Sequence, residues 1–399
     1  SNKKYLKLYK IKNNLVNYEN NILENSLDFS HEYEDLFLGL KASAYEDLTE
    51  NNTSDQYEYI LPDILLDKNL FSSDKYGYAD LQSNLIFHNF ETNKFTKFFI
   101  NDIDWKYKQF NFLSGVKGRL IGKLKNVNYE AKNTSIYKTD TTHEVFGAIG
   151  FLSEINLFKK VRENSKRFLT PKMLIRYAPG HMREETSKTR LNHSNIFSLD
   201  RLNTNKNFES GLSTTLGFNY EIEQSDKKLD FSIGQIINEK ENPNMPSSSS
   251  LDQRFSDVVG HSQLEINDNI KINYNFALDQ NYGQLNYNEL GANLDFNPIK
   301  FDFNYLQEKE HLGDQEYFKG TIGFSPNEYG LFSAETKRNL ITNSAEYYNL
   351  SYEYTNDCLR AGLVYRREFY NDSELEPEDS LMFRITLTPF GDINSPSFN

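Results

Sequence analysis

A chain of 399 residues would ordinarily divide into two or three soluble domains, with large β proteins as the main exception, yet no shift in composition marks a boundary. With 44 Lys+Arg against 57 Asp+Glu, a formal net charge of −13 and no basic stripe, a phosphate-tracking nucleic-acid binder is excluded. The 30 Phe and 26 Tyr against one Trp, with Asn, Asp and Ser crowding the gaps between apolar runs, are the usage of strands joined by turns, so an all-β class is expected.

The N-terminal "SNKKYLKLYK" has neither an initiator Met nor an apolar h-region, so no signal peptide is visible and the chain reads as a mature protein or a piece of a larger one. Mean hydropathy is −0.69, and no stretch approaches the ~18 consecutive apolar residues of a membrane-spanning helix. A transmembrane strand escapes that test. It needs only ~9–11 residues with one face apolar and the other polar, and its mean hydropathy is unremarkable.

Such a pattern recurs along the chain. It runs through Leu212, Thr214, Leu216, Phe218, Tyr220 and Ile222, then Leu229, Phe231 and Ile233. In "NIKINYNFAL" the apolar set is Ile270, Ile272, Tyr274, Phe276 and Leu278, interleaved with Lys271, Asn273, Asn275 and Ala277. It returns at Ile299, Phe301, Phe303 and Tyr305, and at Leu381, Phe383, Ile385 and Leu387. The period is two and helical spacing fits none of these runs. Residues 207–389 are therefore expected to form consecutive antiparallel hairpins, with Ile270, Ile272, Tyr274 and Phe276 on an outer face and Lys271, Asn273 and Asn275 inside.

Short turns near Asp268, Asn297, Asn327 and Asn356 put successive hairpins roughly 29 or 30 residues apart, room for two spanning strands and their connections. The alternate loops are longer: "QNYGQ" (280–284), "EHLGD" (310–314), "LITNS" (340–344) and "YNDSELEPED" (370–379), with residues 180–206 and 240–255 longest. Carried to the N-terminus, this parity predicts about 20 antiparallel strands with short turns at one end and long loops at the other, the asymmetry of an outer-membrane barrel whose short turns face the periplasm. A soluble sandwich, propeller or solenoid also alternates. Against it stand runs well beyond the ~5–6 residues of a soluble strand, aromatics near strand ends, and the lack of a blade or coil repeat.

The sequence offers no catalytic, metal or cofactor signature. His31, His88, His143, His181, His193, His261 and His311 are scattered, and "HEYED" and "HEVFG" lack the second His of a zinc motif. No GxSxG and no phosphate-cradling glycine loop occurs. Glu184–Glu185 and Glu378–Asp379 read as solvated loop charge, and Asp200–Arg201, in an extracellular or luminal loop, as an ion pair that orders the loop.

Six segments stand in a telling order: "LTPKMLIRYAP" (169–179), "SNIFSLDRL" (194–202), "FSIGQII" (231–237), "SDVVGHSQLEIND" (256–268), "TNDCLRAGLVYRR" (355–367) and "LEPEDSLMFRITLTPFG" (375–391). Together they resemble the barrel of the LptD family of lipopolysaccharide-assembly proteins, from about residue 56 onward. The resemblance implies a barrel at the 26-strand end of the known range, preceded by a periplasmic jelly-roll. With about 20 strands counted and no jelly-roll visible, the chain looks like a C-terminal fragment: residues 1–391 barrel, 392–399 a periplasmic tail. It further implies lipopolysaccharide and outer-membrane lipid as ligands, with the plug lipoprotein LptE and the periplasmic bridge LptA as partners.

By parity the single cysteine, Cys358, follows a turn on the periplasmic side, where disulfides persist. In family members a cysteine at the matching turn bonds the barrel to the N-terminal domain. Here Asp357 stands where the family pattern has a second cysteine, so Cys358 has one bridge at most, to a partner outside this chain. A spare small residue at a strand start is the alternative. In a lateral gate at the seam of the barrel, Ser380, Met382, Arg384, Thr386 and Thr388 of the last strand would face the lumen. Pro389, without an N–H, would either weaken pairing there or simply end the strand. Two other functions stay open: a porin or nutrient channel, with a closed wall and an in-folded loop, and a soluble β-structured adhesion module.

Overall fold

The computed structural model describes residues 21–48, 55–113, 115–162, 164–186, 189–202, 204, 206–309, 313–369, 379–387 and 391–394. Within them lies one antiparallel sheet of 22 strands. The first ten are β1 (Ile22–Tyr33), β2 (Leu36–Asp47), β3 (Tyr57–Ser73), β4 (Gly77–Phe90), β5 (Phe95–Lys106), β6 (Phe110–Leu113), β7 (Val116–Lys132), β8 (Thr142–Ile155), β9 (Leu157–Arg162) and β10 (Ser165–Ala178). There follow β11 (Gly211–Gln224), β12 (Lys227–Asn238), β13 (Val258–Ile266), β14 (Ile270–Leu278), β15 (Leu285–Phe296) and β16 (Ile299–Glu308). The last are β17 (Gln315–Phe324), β18 (Gly330–Asn339), β19 (Ser344–Thr355), β20 (Leu359–Glu368), β21 (Asp379–Leu387) and β22 (Gly391–Asn394).

The strands run as a meander, each paired with the next in the chain. Two are interrupted: β5 and β6 lie end to end along β7, and β8 and β9 along β10. Counting each such pair once brings the sheet to the roughly 20 strand positions the turn spacing predicts. Among the described residues β1 pairs with β2 alone.

Asparagine builds the tight connections. Asn327 Oδ1 accepts from the Tyr329 and Gly330 amides at 3.1 and 2.9 Å, and Asn356 Oδ1 from those of Cys358 and Leu359 at 3.0 and 2.8 Å. These side chains satisfy amides that the ladder leaves open at a reversal. One end of the sheet carries such short turns. The other carries residues 179–210 between β10 and β11 and residues 239–257 between β12 and β13.

The strands are inside-out relative to a soluble sheet. On β11, Ser213 and Thr215 are 3% and 1% exposed, while Leu212 and Leu216 are 39% and 46% exposed. On β10, Arg176 is buried between exposed Ile175 and Tyr177, and on β7 Lys125 is buried beside exposed Leu124. The Ile270–Phe276 set shares the outward row: Ile272 stands opposite Ala292 and Ala292 opposite the exposed Phe303. Asn275 is on the other face, bonded to Glu289 and His261. An apolar face left outside and a polar face turned in is the pattern of a strand with lipid on one side and a lumen on the other. No helix of the described residues is long and apolar enough to cross a membrane.

The buried side chains accordingly lie between the inner face and the two long loops. One cluster joins Phe98, Val127, Tyr129, Phe146 and Leu174 of the strands to Leu199 and Phe208 of the first loop. The other joins Ile236, Val259, Ala277 and Tyr287 to Met182, Leu191, Ile196 and Leu202 of that loop and to Met245 and Leu251 of the second.

At the C-terminal end a short strand follows β21. Gly391 stands opposite Leu387 and Asn394 opposite Arg384, so β22 adds to the sheet and its backbone groups pair with those of β21. Thr388 and Pro389 lie outside the described residues.

Candidate functional site

The loop of residues 179–210 lies across the inner face from β5 to β16. Apolar residues spaced through a polar segment hold it there. Room is made by glycines on the strands: a Cβ at Gly150 would stand 2.7 Å from Leu199 Cδ2, and one at Gly234 would stand 3.0 Å from Ile196 Cδ1. The loop's shape is set locally by Asn192, whose Oδ1 accepts from the Ser194 and Asn195 amides, and by Asn195, whose Nδ2 donates to the Arg190 carbonyl at 3.1 Å.

Ionic anchors complete the docking. Lys125 Nζ, 1% exposed, donates to Asp200 Oδ2 at 2.9 Å and to the Thr204 carbonyl, with Asp102 at 3.7 Å. Arg176, equally buried, donates to the carbonyls of Leu199 at 2.7 Å and Glu209 at 2.5 Å. Arg201 grips the Glu209 carboxylate through Nε, at 2.7 Å, and through Nη2, which also reaches Ser213 Oγ at 2.9 Å. Asp200 and Arg201 thus take different partners instead of pairing with each other. Adjacent residues of the loop project to different neighbours, and each meets a charge already buried.

Further along, Arg183 pairs with Glu144 and lies over the rings of Tyr129 and Tyr137. Lys206 sits over Phe98, 4.4 Å from its centroid. Burial, and then the Arg183 charge, push the Lys206 ammonium below its ordinary range. Arg190 reaches Glu308 at 2.7 Å and lies over Tyr287, 3.5 Å from the centroid. His193 stacks on His261 with centroids 4.4 Å apart and planes 16° from parallel.

The second loop locks against the first. Asn244 Nδ2 donates to the Met182 carbonyl and Ser248 Oγ to that of Thr189, both at 3.3 Å. Asn286 of β15 ties down Asp257 at 2.9 Å. The two loops form a plug that meets the wall through two apolar clusters, with buried ion pairs and Asn and Ser hydrogen bonds set among them.

The residues that make this site were missed by reading the sequence, apart from Asp200 and Arg201. The signal for Lys125 and Arg176 was present as parity, since each falls between outward-facing apolar neighbours. Of the scattered histidines, the fold brings His193 and His261 together. Among the described residues no group of three or more His, Cys, Asp or Glu is placed to hold a metal ion.

The other expected residues lie on β21 and on the turn between β19 and β20. On β21, Ser380 is buried and Met382 and Thr386 are half-buried, on the face opposite exposed Leu381 and Phe383; Arg384 shares their row and is exposed. Cys358 is exposed, with a free thiol, at the short turn between β19 and β20.

Comparison with known proteins adds a family. The family model for LptD, LPS transport system D, matches residues 1–350. The match reaches further toward the N-terminus than the resemblance in the sequence and stops short of Cys358 and β21. No curated protein matches the chain. Among solved structures, the siderophore receptor PirA from Acinetobacter baumannii is 8% identical with a TM-score of 0.44, over 92% of this chain and 71% of that one. The ferric-catecholate import receptor Fiu from E. coli K12 is 8% identical with a TM-score of 0.40, over 92% and 72%. The FrpB iron transporter from Neisseria meningitidis is 8% identical with a TM-score of 0.39, over 95% and 76%.

Proposed function

This chain belongs to the LptD family, and we propose that it delivers lipopolysaccharide to the outer leaflet through its lumen and a lateral opening at the seam of the barrel. It is an outer-membrane β-barrel chain, and the family match over residues 1–350 is the observation that carries the reading. The chemistry of the two faces supports it. A sugar and phosphate head is compatible with the Asn, Ser, Thr and ion pairs of the inner face. Acyl tails are not, and have to pass into lipid where two strands separate. In this proposal Ser380, Met382, Arg384 and Thr386 line the seam, and the short pairing of β22 with β21 must part or move aside. LptE and LptA are the partners, and Cys358 bonds a cysteine outside this chain.

The test uses the full-length protein in cells. A photo-crosslinker at Met382 or Arg384 is expected to capture lipopolysaccharide during export, and a disulfide tying the C-terminal strands to the first strand of the barrel is expected to stop delivery. If the locked protein still delivers lipopolysaccharide to the surface, the lateral route fails. The in-folded loop of residues 179–210 would then belong to a closed-wall channel.

A further inference from the structure

On the outer face, from β15 to β19, the cross-strand rows are uneven. One row reads Ile272, Ala292, Phe303, Gly320, Thr336, Tyr348, and the next reads Leu294, Phe301, Ile322, Ala334, Leu350. Small residues at Ala292, Gly320 and Ala334 sit between large ones and leave a groove of about 620 Å³. That is within the range of about 300–1,000 Å³ typical of small-molecule sites. Phe318 folds over Gly320, its Cζ 2.9 Å from where a Cβ would stand, and packs on Phe303 with centroids 5.0 Å apart, so one wall of the groove is aromatic.

Depth identifies the occupant. The groove lies in the half of these strands next to the short turns, the periplasmic half of an outer-membrane barrel. Nearer the turns, exposed Phe324, Phe332 and Tyr352 stand in register across three strands, with Phe332 and Tyr352 centroids 4.6 Å apart. Such a cluster is an aromatic girdle at headgroup level. The groove opens one to two residue rows above it, within the acyl region of the inner leaflet.

We propose that this groove is a binding site for one acyl chain of an inner-leaflet glycerophospholipid, held between the Phe303/Phe318 wall and Leu350 on the lipid face of β15–β19. The proposal requires the outer-membrane placement but not the lipopolysaccharide route. The girdle fixes the headgroup at the periplasmic surface, and the row of small residues lets the chain lie against backbone where neighbouring strands present full side chains.

The experiment places the full-length protein in nanodiscs containing phosphatidylethanolamine with a diazirine in its acyl chain, and maps the photolabel by peptide. Labelling across residues 315–339 is expected to exceed, several-fold, that of the β11–β12 hairpin, where Tyr220, Ile222, Phe231 and Leu229 offer an outward face at the same distance from the short turn. Ala334→Phe, and separately Ala292→Phe, fill the groove and should bring labelling down to the hairpin's level, with folding checked by heat-modifiable migration. Equal labelling of the two regions in the unaltered protein would mean ordinary annular lipid and overturns the proposal. So would an excess that survives both folded variants, or an excess seen only when the diazirine is on the acyl chains of lipopolysaccharide.

Discussion

The inner faces of two stretches of this sheet carry similar charged side chains and treat them differently. From β7 to β10 the strand charges are sealed: Lys125 and Arg176 are almost inaccessible, and their partners Asp200 and Glu209 come from the loop above. From β17 to β20 the charges pair across strands or within one. Lys319 meets Glu335 at 3.0 Å, Lys337 meets Glu346 at 2.7 Å, and Arg360 meets Glu353 at 2.9 Å, each partly open to solvent, and only Arg366 with Glu368, at 2.7 Å within β20, is closed off. The strands are alike in register and alternation. What differs is the plug, which covers Lys125 and Arg176 with partners from the loop, while Lys319, Lys337 and Arg360 are left to partners on neighbouring strands and stay partly open to water.

Breaking the sealed wall should have the largest effect. Lys125→Met leaves Asp200 buried near Asp102 without its nearest cation, and removing one partner of a buried pair costs about 3–5 kcal/mol. The loop of residues 179–210 is expected to undock, seen as rapid proteolysis within it in a protein that still migrates as a folded barrel. Combining Lys125→Met with Asp200→Leu removes both charges and should recover most of the protection. If the double variant is as protease-sensitive as the single one, the ion pair is not what holds the loop.

A smaller effect is expected at the His193 and His261 stack. Burial, and then the neighbouring His261, hold the His193 imidazole below its ordinary value, with Asp230 acting in the opposite sense. A lowered value means the undocked loop binds the proton more tightly. The contact is therefore complete above the ordinary imidazole value of about 6.5 and weakens as pH falls through the lowered one. Labelling of a Ser194→Cys variant should rise on acidification, and His193→Gln should flatten that profile. The smallest effect belongs to the open wall: Lys319, 47% exposed in its side chain, should cost only ~0–1 kcal/mol as Lys319→Ala in urea unfolding. A loss there comparable to that of Lys125→Met would erase the distinction between the two walls.

The sequence by itself determined the strands, their direction and the face each presents, because those depend on neighbours two residues apart and on turn chemistry within four. The Leu212 to Ile222 alternation and the Asn327 and Asn356 turns are read from a dozen residues each, and an inside-out strand keeps its period even when its mean hydropathy is unremarkable. The interior was decided only by the tertiary structure. Lys125 and Asp200 are 75 residues apart in the chain, and Arg190 and Glu308 are 118 apart. No periodicity links charges at such distances, and Asp200 beside Arg201 suggested a local pair that the fold replaces with two separate ones. The same holds for the outer groove, since Ala292, Gly320 and Ala334 are ordinary small residues until the register of five strands sets them side by side. Alternation is a local property of the chain, while burial, pairing and shape belong to residues that meet only when the strands are in register and the loops are docked on them.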